Sequence, residues 1–314
     1  MIKEFFSNKI HINDLVDDRF CIQKDLLDKH TKQNQLLVVD CSGDPYDSLA
    51  HWFYDEILKL EYHSDFLILT SDLNDLSGQN DKIKYYPYCF LLLKKDHAPH
   101  CTTVVLNPTR HYKISCLNYR SRPHRIENFI KARKTPWFDQ MLFSFHKFCA
   151  NEEKQPPTGS SFANENILTE FLEIHTTLPV RAAGDNFTFH PAYTDTYINF
   201  VTETSVNPNE LFISEKSFKP LLAGQFGIWL GTPGVVSYLR SIGFDVFDDY
   251  IDHEYDNEPD WHVRIDMIHH QIERLLDLDF KKIFIDTSSR RLYNQQHFYS
   301  DALYQSLTNH LQEK

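Results

Sequence analysis

The sequence predicts an α/β protein built from two units, each with a parallel sheet covered by helices. Short continuous apolar runs are typical of strands that are buried on both faces. These runs alternate along the chain with segments whose apolar residues recur at helical spacing. At 314 residues the chain is also longer than one small hydrophobic core requires, which suits two domains or one large α/β domain.

In the N-terminal region, residues 36–72 predict a strand, a helix and a second strand. The strands are "LLVVD" and "DFLILT", and "DSLAHWFYDEILKL" between them has helical spacing. Such a βαβ unit has a right-handed connection. The runs "YYPYCFLLLKK" and "TTVVL", at 85–95 and 102–106, predict two further strands.

The alternation resumes near Arg110. Segment 112–134 predicts a strand, a basic turn and a helix, whereas 150–166 is typical of a loop. The later elements are the strands "YINFVTET" and "FGIWLG", a helix from Ser214 to Ala223, a helix "VVSYLRSI" that ends at Gly243, the amphipathic segment "PDWHVRIDMIHHQIERLL" and a helical tail.

We divide the chain into an N-terminal α/β domain (1–108), a second α/β domain (109–290) and a C-terminal helical tail (291–314). In open parallel sheets, ligands bind beyond the carboxyl ends of the strands. The segments to search for a site are therefore the loops after Asp40 and Thr70, around Asn118, after Thr204 and around Gly231.

Composition excludes several classes of protein. Apolar residues make up 41% and charged residues 24%, as in a globular protein. The formal charge of −12 disfavours a protein that coats nucleic acid. No apolar run reaches the roughly 18 residues of a membrane span, and no secretory signal is evident. The sequence therefore predicts a cytoplasmic protein. Peripheral contact with the inner face of the membrane stays open. The six cysteines lack metal-binding spacing and indicate reduced, buried thiols.

The first candidate site is a basic segment, residues 110–134. Its cations are Arg110, Lys113, Arg120, Arg122, Arg125, Lys131, Arg133 and Lys134. The middle arginines fall where a strand turns into a helix, so they and the first helical N–H groups could surround an anion. Arginine suits phosphate because its planar fork donates two parallel hydrogen bonds. The alternative is a solvated basic helix face.

The second candidate is the helix start within "LFISEKSFKPLLAGQFGIWLGTPG". Pro220 is tolerated in a first helical turn or at a kink. If Ser217 is the N-cap, Pro220 lies in the first turn. If Ser214 is the N-cap, the helix must kink at Pro220. In both cases Glu215 and Lys216 lie at the helix mouth, where the lysine suits a phosphate and the glutamate suits sugar hydroxyls. The alternative is an ordinary surface pair.

Several blocks of this region occur in an order seen in a known class of enzyme. "VTET", "ISEKSFKPLLAG", "GTPGVVSYLRSIGFDVF" and "DDYIDHEYD", preceded by "SCLNYRSRPHR", resemble the nucleotide-sugar-binding half of GT-B glycosyltransferases, and most of all the fucosyltransferase-like family. The resemblance covers about residues 112–256. It implies a GT-B-like α/β fold, with two Rossmann-like domains whose parallel sheets face a central cleft. Residues 1–108 would then form the acceptor-side domain, and residues 109–290 would form the nucleotide-sugar-binding domain. The longer "GTPGVVSYLRSIGFDVF" block departs from fucosyltransferases and leaves the donor sugar open.

The resemblance also implies a role for each matching residue. Lys216 and an arginine among Arg120, Arg122 and Arg125 would hold the donor diphosphate. Glu215 would contact ribose or sugar hydroxyls. The other residues implied at the donor site are Asn118, Glu203, Ser214, Lys219 and Gly231 of the "GTPG" turn. Lys219 is the weaker candidate, since a lysine at a helix start also points to solvent.

An inverting transferase needs a carboxylate that takes the proton of the acceptor hydroxyl. Four N-terminal carboxylates follow predicted strands: Asp40, Asp44, Asp47 and Asp72. In GT-B architecture the base comes from the N-terminal domain, and Asp44 is our choice because it lies in the loop after the first strand of this unit. Turn formation by Asp44-Pro45 is the alternative.

These observations predict a metal-independent hexosyl- or pentosyltransferase without a resident cofactor, for which a nucleotide sugar is the co-substrate. The expected acceptor is a hydroxyl of a surface glycan. Two alternatives stay open: a phage-type enzyme that glycosylates hydroxymethylated DNA bases, which the net charge disfavours, and a non-catalytic nucleotide-sugar-binding module. The pair Asp277 and Asp279 and the histidines His269 and His270 predict no metal site, because they lie on or at the end of a helix without suitably spaced partners.

Overall fold

A computed structural model of the chain describes residues 9–11, 27, 37–40, 49–59, 66–71, 81–96, 107–118, 121–144, 166–175 and 192–309. The chain divides into two compact units. The first comprises residues 1–88, 209–212 and 305–314, and the second comprises 89–208 and 213–304. These bounds differ from the sequence-based division at 108/109 and 290/291.

The first unit contains a four-stranded sheet in the order β1-β2-β3-β4, and every neighbouring pair is parallel. Its strands are β1 (Lys9–His11), β2 (Leu37–Asp40), β3 (Phe66–Thr70) and β4 (Ile83–Tyr85). Helix α1 (Leu49–Lys59) connects β2 to β3, which confirms the predicted βαβ unit. The buried side chains of β2 and β3 explain why both strands are continuous apolar runs.

The prediction of a strand over "YYPYCFLLLKK" is wrong. Strand β4 ends at Tyr85, and helix α2 (Tyr88–Asp96) follows. A short apolar run is compatible with a buried strand or a buried helix, and periodicity alone does not decide between them. Here Phe90 and Leu93 are buried at helical spacing, and Pro87 lies just before the helix. The run "TTVVL" lies outside the described residues.

The second unit contains a four-stranded parallel sheet in the order β6-β5-β7-β8. Its elements are β5 (Tyr112–Leu117), α3 (Pro123–Arg133), β6 (Met141–Ser144), α4 (Asn166–His175), α5 (Ala192–Asp195), β7 (Thr196–Thr202), α6 (Glu215–Leu222), β8 (Phe226–Leu230), α7 (Val235–Ser241), α8 (Trp261–Leu276), α9 (Phe280–Asp286) and α10 (Ser288–Tyr299). A last helix, α11 (Asp301–Thr308), has residues in both units. Strand β6 and helix α4 were not among the predicted elements.

The chain reverses its direction of travel across this sheet between β5 and β7. From β5 it moves outward to β6, and it then returns to place β7 and β8 on the other side of β5. Right-handed crossovers consequently place α3 and α6 on opposite faces.

Helix α8 packs with α3, where His269 donates to the Asn128 amide oxygen at 2.7 Å. Helix α10 packs with α6, where the Gln295 side chain donates to the Leu222 carbonyl at 3.2 Å.

The C-terminal region is helical, as predicted. Residues 291–304 belong to the second unit. The buried guanidinium of Arg291 lies over the Phe284 ring at 3.7 Å and donates to the Phe284 carbonyl, which ties α10 to α9. Within the described ranges, no helix combines the length and the apolar character needed to cross a membrane.

Candidate ligand-binding site

A pocket of about 370 Å³ lies at the carboxyl ends of β5 and β7, where the strand order reverses. This is the position at which open α/β sheets bind ligands, and the pocket volume suits a small molecule. The segment after β5 supplies one wall and the segment after β7 supplies the other. The lining residues are Arg122, Pro123, His124, Thr204, Ser205, Val206, Asn207, Pro208 and Trp261.

The wall after β5 is the beginning of helix α3. Arg122 occupies the N-cap position with extended backbone, and Pro123 is the first helical residue. Both features follow from the sequence, because a residue before proline favours extended backbone and proline suits a first helical turn. The side chain of Arg122 makes no capping hydrogen bond at this end of the 11-residue helix. The positive end of its dipole therefore lies at the pocket together with the half-buried Arg122.

Two neighbouring basic residues, His124 and Arg125, point into the unit and hold α3 against β7. His124 Nε2 donates to the Glu203 carbonyl at 2.9 Å, and Arg125 donates to the Thr202 and Glu203 carbonyls at 3.0 and 2.9 Å. Burial and the charge of Arg125 hold the pKa of His124 well below its usual range, so this ring is neutral. Burial and the Arg122 charge lower the pKa of Arg125 to about 10, so Arg125 stays charged.

Glu203 joins β7 to the start of α6. Its fully buried carboxylate accepts hydrogen bonds from Ser214 Oγ at 2.5 Å, Ser217 Oγ at 2.6 Å, the Thr204 N–H at 3.0 Å and the Ser214 N–H at 3.3 Å. Ser214 is the N-cap of α6, and its Oγ accepts from the Lys216 N–H. The alternative in which Ser217 is the N-cap is wrong, and Pro220 lies inside the helix.

Lys216 lies at the mouth of α6, as predicted, but its ammonium group is engaged by the protein. It donates to Glu215 at 2.9 Å, to Thr204 Oγ1 at 3.2 Å and to Ser214 Oγ at 3.2 Å. These described partners match the three N–H donors of an ammonium group. Lys216 is not among the residues that line the pocket, but it holds Thr204, which is.

Glu215 is buried and charged. Burial raises the pKa of its carboxyl group, but the charge and hydrogen bond of Lys216, with the charge of Lys219, outweigh this effect and the net pKa lies below its usual value. Lys219 is buried over the Tyr193 ring at 5.9 Å, so the alternative in which it points to solvent is wrong. The backbone of Glu215 hydrogen-bonds the Cys89 thiol, whose pKa burial raises to about 12.

Two other candidate residues are built into the protein core. The Asn118 amide oxygen accepts from Thr202 Oγ1, and the Asn118 side chain donates to Cys116 Sγ at 3.3 Å, which ties the ends of β5 and β7. Gly231 packs so closely on Glu203 that an added Cβ would lie 3.2 Å from its Cγ atom. The close approach permitted by Gly231 is thus to a side chain of the protein itself.

Arg120 and Asp44 lie outside the described residues.

The described cations of the basic segment are largely used inside the second unit. Arg110 is buried and donates to the carbonyls of Tyr193, Thr196 and Ala223 at 2.6, 2.9 and 3.1 Å. Lys113 donates to the Leu276 carbonyl at 2.6 Å. In the same way, Lys131 pairs with Asp266 and Lys134 pairs with Glu170. The alternative of a solvated basic face fits the exposed Arg133 and Lys134 but not the buried Arg110 and Arg125, and Arg122 is the cation of this set that lines the pocket.

The sequence analysis did not identify Trp261 or the segment Ser205–Pro208. The rule for parallel sheets pointed to the loop after Thr204, but no motif marked individual residues in it. Trp261 begins a helix 57 residues beyond Thr204, and a lone aromatic residue at a helix start gives no functional signal. Within the described part of the chain, no group of three or more His, Cys, Asp or Glu side chains is arranged to hold a metal ion.

Comparison with known proteins does not assign the chain to a family. No protein-family model matches the chain, and a search of curated proteins finds no match.

Replacing Glu203 tests its role at the junction of β7 and α6. We expect Glu203→Ala to lower the free energy of unfolding by about 2–5 kcal/mol, because several buried donors lose their acceptor at about 1–3 kcal/mol each. Ser217→Ala removes one of these donors and should cost about 1 kcal/mol. Urea denaturation measures both variants. Equal stability of Glu203→Ala and the wild type would contradict this role.

The net lowering of the Glu215 pKa predicts a pH-dependent contribution to stability. A carboxyl group whose pKa is lowered in the folded state stabilises the fold above its unfolded pKa, and this contribution is lost as the pH falls through the folded pKa. The difference in Tm between wild type and Glu215→Gln should therefore be largest near neutral pH and shrink in acid. In a Lys216→Met background the difference should be small at every pH. A difference that grows in acid would refute the assignment.

Proposed function

We propose that the protein is a glycosyltransferase that binds a nucleotide-sugar donor in the second unit and transfers the sugar to an acceptor hydroxyl. The proposal retains the GT-B-like arrangement and the surface-glycan acceptor that the sequence resemblance implies. It places the nucleoside diphosphate part of the donor in the pocket beyond β5 and β7.

One observation carries the proposal: the pocket at the reversal of strand order has Arg122 and the start of α3 on one wall, and Thr204, held by Lys216, on the other. A parallel α/β sheet binds phosphorylated ligands at this position, with phosphate at the start of a helix. The guanidinium group is suited to grip such an anion through two hydrogen bonds. These blocks of sequence are also the ones that resemble GT-B enzymes.

The chemistry requires that negative charge be stabilised as the sugar–phosphate bond breaks. Arg122 and the positive end of the α3 dipole supply fixed positive potential at the pocket. Lys216 supplies a second cation after exchanging one of its internal acceptors for a phosphate oxygen. Glu215, which pairs with Lys216 at 2.9 Å, is the residue that we propose accepts a hydrogen bond from a ribose or sugar hydroxyl. Asp44 remains our choice for the base that deprotonates the acceptor.

The DNA-modifying alternative gains no support from the basic segment. Arg110, Arg125, Lys113, Lys131 and Lys134 are engaged within the second unit, so they do not form a free cationic surface for a duplex. A salt-sensitive shift of duplex DNA in a gel would reverse this conclusion.

Turnover is the direct test of the proposed function. The purified protein should be incubated in EDTA with UDP-, GDP-, CMP- and dTDP-linked sugars, and release of the nucleotide should be measured. We expect slow hydrolysis of one donor without an acceptor. Binding of a donor without any turnover, also in the presence of hydroxyl acceptors and divalent cations, would favour a non-catalytic binding module. Failure to bind any of them would refute the proposal.

Two cations of the site can be tested against a matched control. Lys216→Met and Arg122→Ala should each lower kcat/KM by about 10²- to 10³-fold, as expected for removing one preorganised electrostatic contact to the transition state. Arg133→Ala, at the exposed opposite end of α3, should leave kcat/KM within about twofold of the wild type. Unchanged activity in Arg122→Ala would remove the α3 wall from the mechanism, and unchanged activity in Lys216→Met would remove the lysine.

A further inference from the structure

The pocket has an apolar wall as well as a cationic one. The indole of Trp261, the first residue of α8, lines it together with Pro123, Val206 and Pro208. Small-molecule pockets typically combine such apolar surface with a few polar groups that orient the ligand. The apolar wall suits a part of the ligand that is flat and uncharged, and the Arg122 side suits a part that is anionic.

Trp261 is held in a defined orientation by residues on two helices. The ring of His262 packs against it with centroids 3.6 Å apart and the ring planes tilted by 31°, and the ring of His124 contacts it edge-on at 6.2 Å. His262 Nδ1 in turn donates to the buried Glu127 carboxylate of α3 at 2.9 Å. The backbone N–H of His262 donates to the N-cap Asp260 at 2.9 Å, which fixes the start of α8. The indole is therefore preorganised.

We propose that the nucleobase of the donor stacks on Trp261; this inference rests on the proposed function and assigns the base to one side of the pocket. Every base has a π face, and stacking on an aromatic side chain is a general means of binding one. An indole also gives more stacking area than the other aromatic side chains. Glu127 and His262 act as positioning residues, because they reach the base only through Trp261.

A sugar ring also packs on tryptophan, so the choice between base and sugar needs an argument. The wall formed by Trp261, Pro123 and the Val206–Pro208 segment lies wholly within the second unit. The transferred sugar must meet an acceptor hydroxyl, whereas the base takes no part in the reaction and can stay enclosed. The base is therefore the better candidate to pack on this wall, and the diphosphate then lies toward Arg122 and Thr204.

Calorimetric titration of the full-length protein tests this assignment. The probes are UDP, GDP, CDP and dTDP, the matching nucleotide sugars, and inorganic pyrophosphate. For the diphosphate that binds wild type best, we expect Trp261→Ala to weaken binding about tenfold to a hundredfold and Trp261→Phe to restore most of the loss. The affinity for pyrophosphate should stay the same in all variants. Tyr293→Ala, which removes an exposed aromatic residue elsewhere in the second unit, is the matched control and should bind as wild type does.

Intrinsic fluorescence gives a second readout. The chain has four tryptophans, of which Trp137 and Trp229 are buried. Binding of the diphosphate should quench the wild-type emission, and this quench should be absent in Trp261→Phe. Thermal unfolding of each variant shows whether it is folded, and Trp261→Phe supplies the test if Trp261→Ala does not fold.

The possible outcomes separate the two proposals. Nucleoside diphosphate binding that Trp261→Ala leaves unchanged overturns the stacking assignment and leaves the proposed function intact. Loss confined to nucleotide sugars shows that the sugar, not the base, lies on Trp261. Equal loss for pyrophosphate shows that Trp261 only supports the fold of the pocket. If wild type binds no nucleoside diphosphate and no nucleotide sugar, both proposals fail together.

Discussion

The buried carboxylate of Glu203 is the constraint on which the candidate site depends. A charged group without solvent is tolerated only when hydrogen bonds replace its hydration. Here Ser214, Ser217 and two backbone N–H groups supply them, and this requirement fixes the start of α6 against the end of β7. On the other side, the carbonyl of the same residue accepts from His124 and Arg125, which fixes the start of α3. One residue thus orients both helix starts.

Much of the fold could be predicted because strands buried on both faces leave an unambiguous signal. Leu37–Asp40, Phe66–Thr70 and Phe226–Leu230 are continuous apolar runs bounded by polar residues, and each is a strand. The same signal failed over Tyr88–Asp96, because a buried helix of this length is equally apolar and only its surroundings decide its conformation. Strand β6 (Met141–Ser144) has only one fully buried side chain, so it does not give the signal of a strand that is buried on both faces.

The site was predictable in position but not in detail. Topology directs attention to the ends of β5 and β7, and the charge count directs it to the basic segment. The sequence does not show which of these cationic side chains form their contacts inside the fold. Arg122 and Arg125 are three residues apart, yet the first lines the pocket and the second is buried against backbone carbonyls, since the capping residue precedes the helix and Arg125 lies on its inward face. Trp261 was missed because its importance comes from a tertiary contact.

The two walls of the pocket come from distant parts of the chain, and this has a kinetic consequence. His124 and Glu203, which join these walls, are 79 residues apart in sequence. Pairing of β5 with β7 must close a loop of comparable length, and such non-local contacts form slowly because the chain loses entropy before the contacts stabilise it. The pocket therefore forms only after β5 and β7 have paired. A ligand bound there would stabilise the unit against any unfolding that separates these two strands.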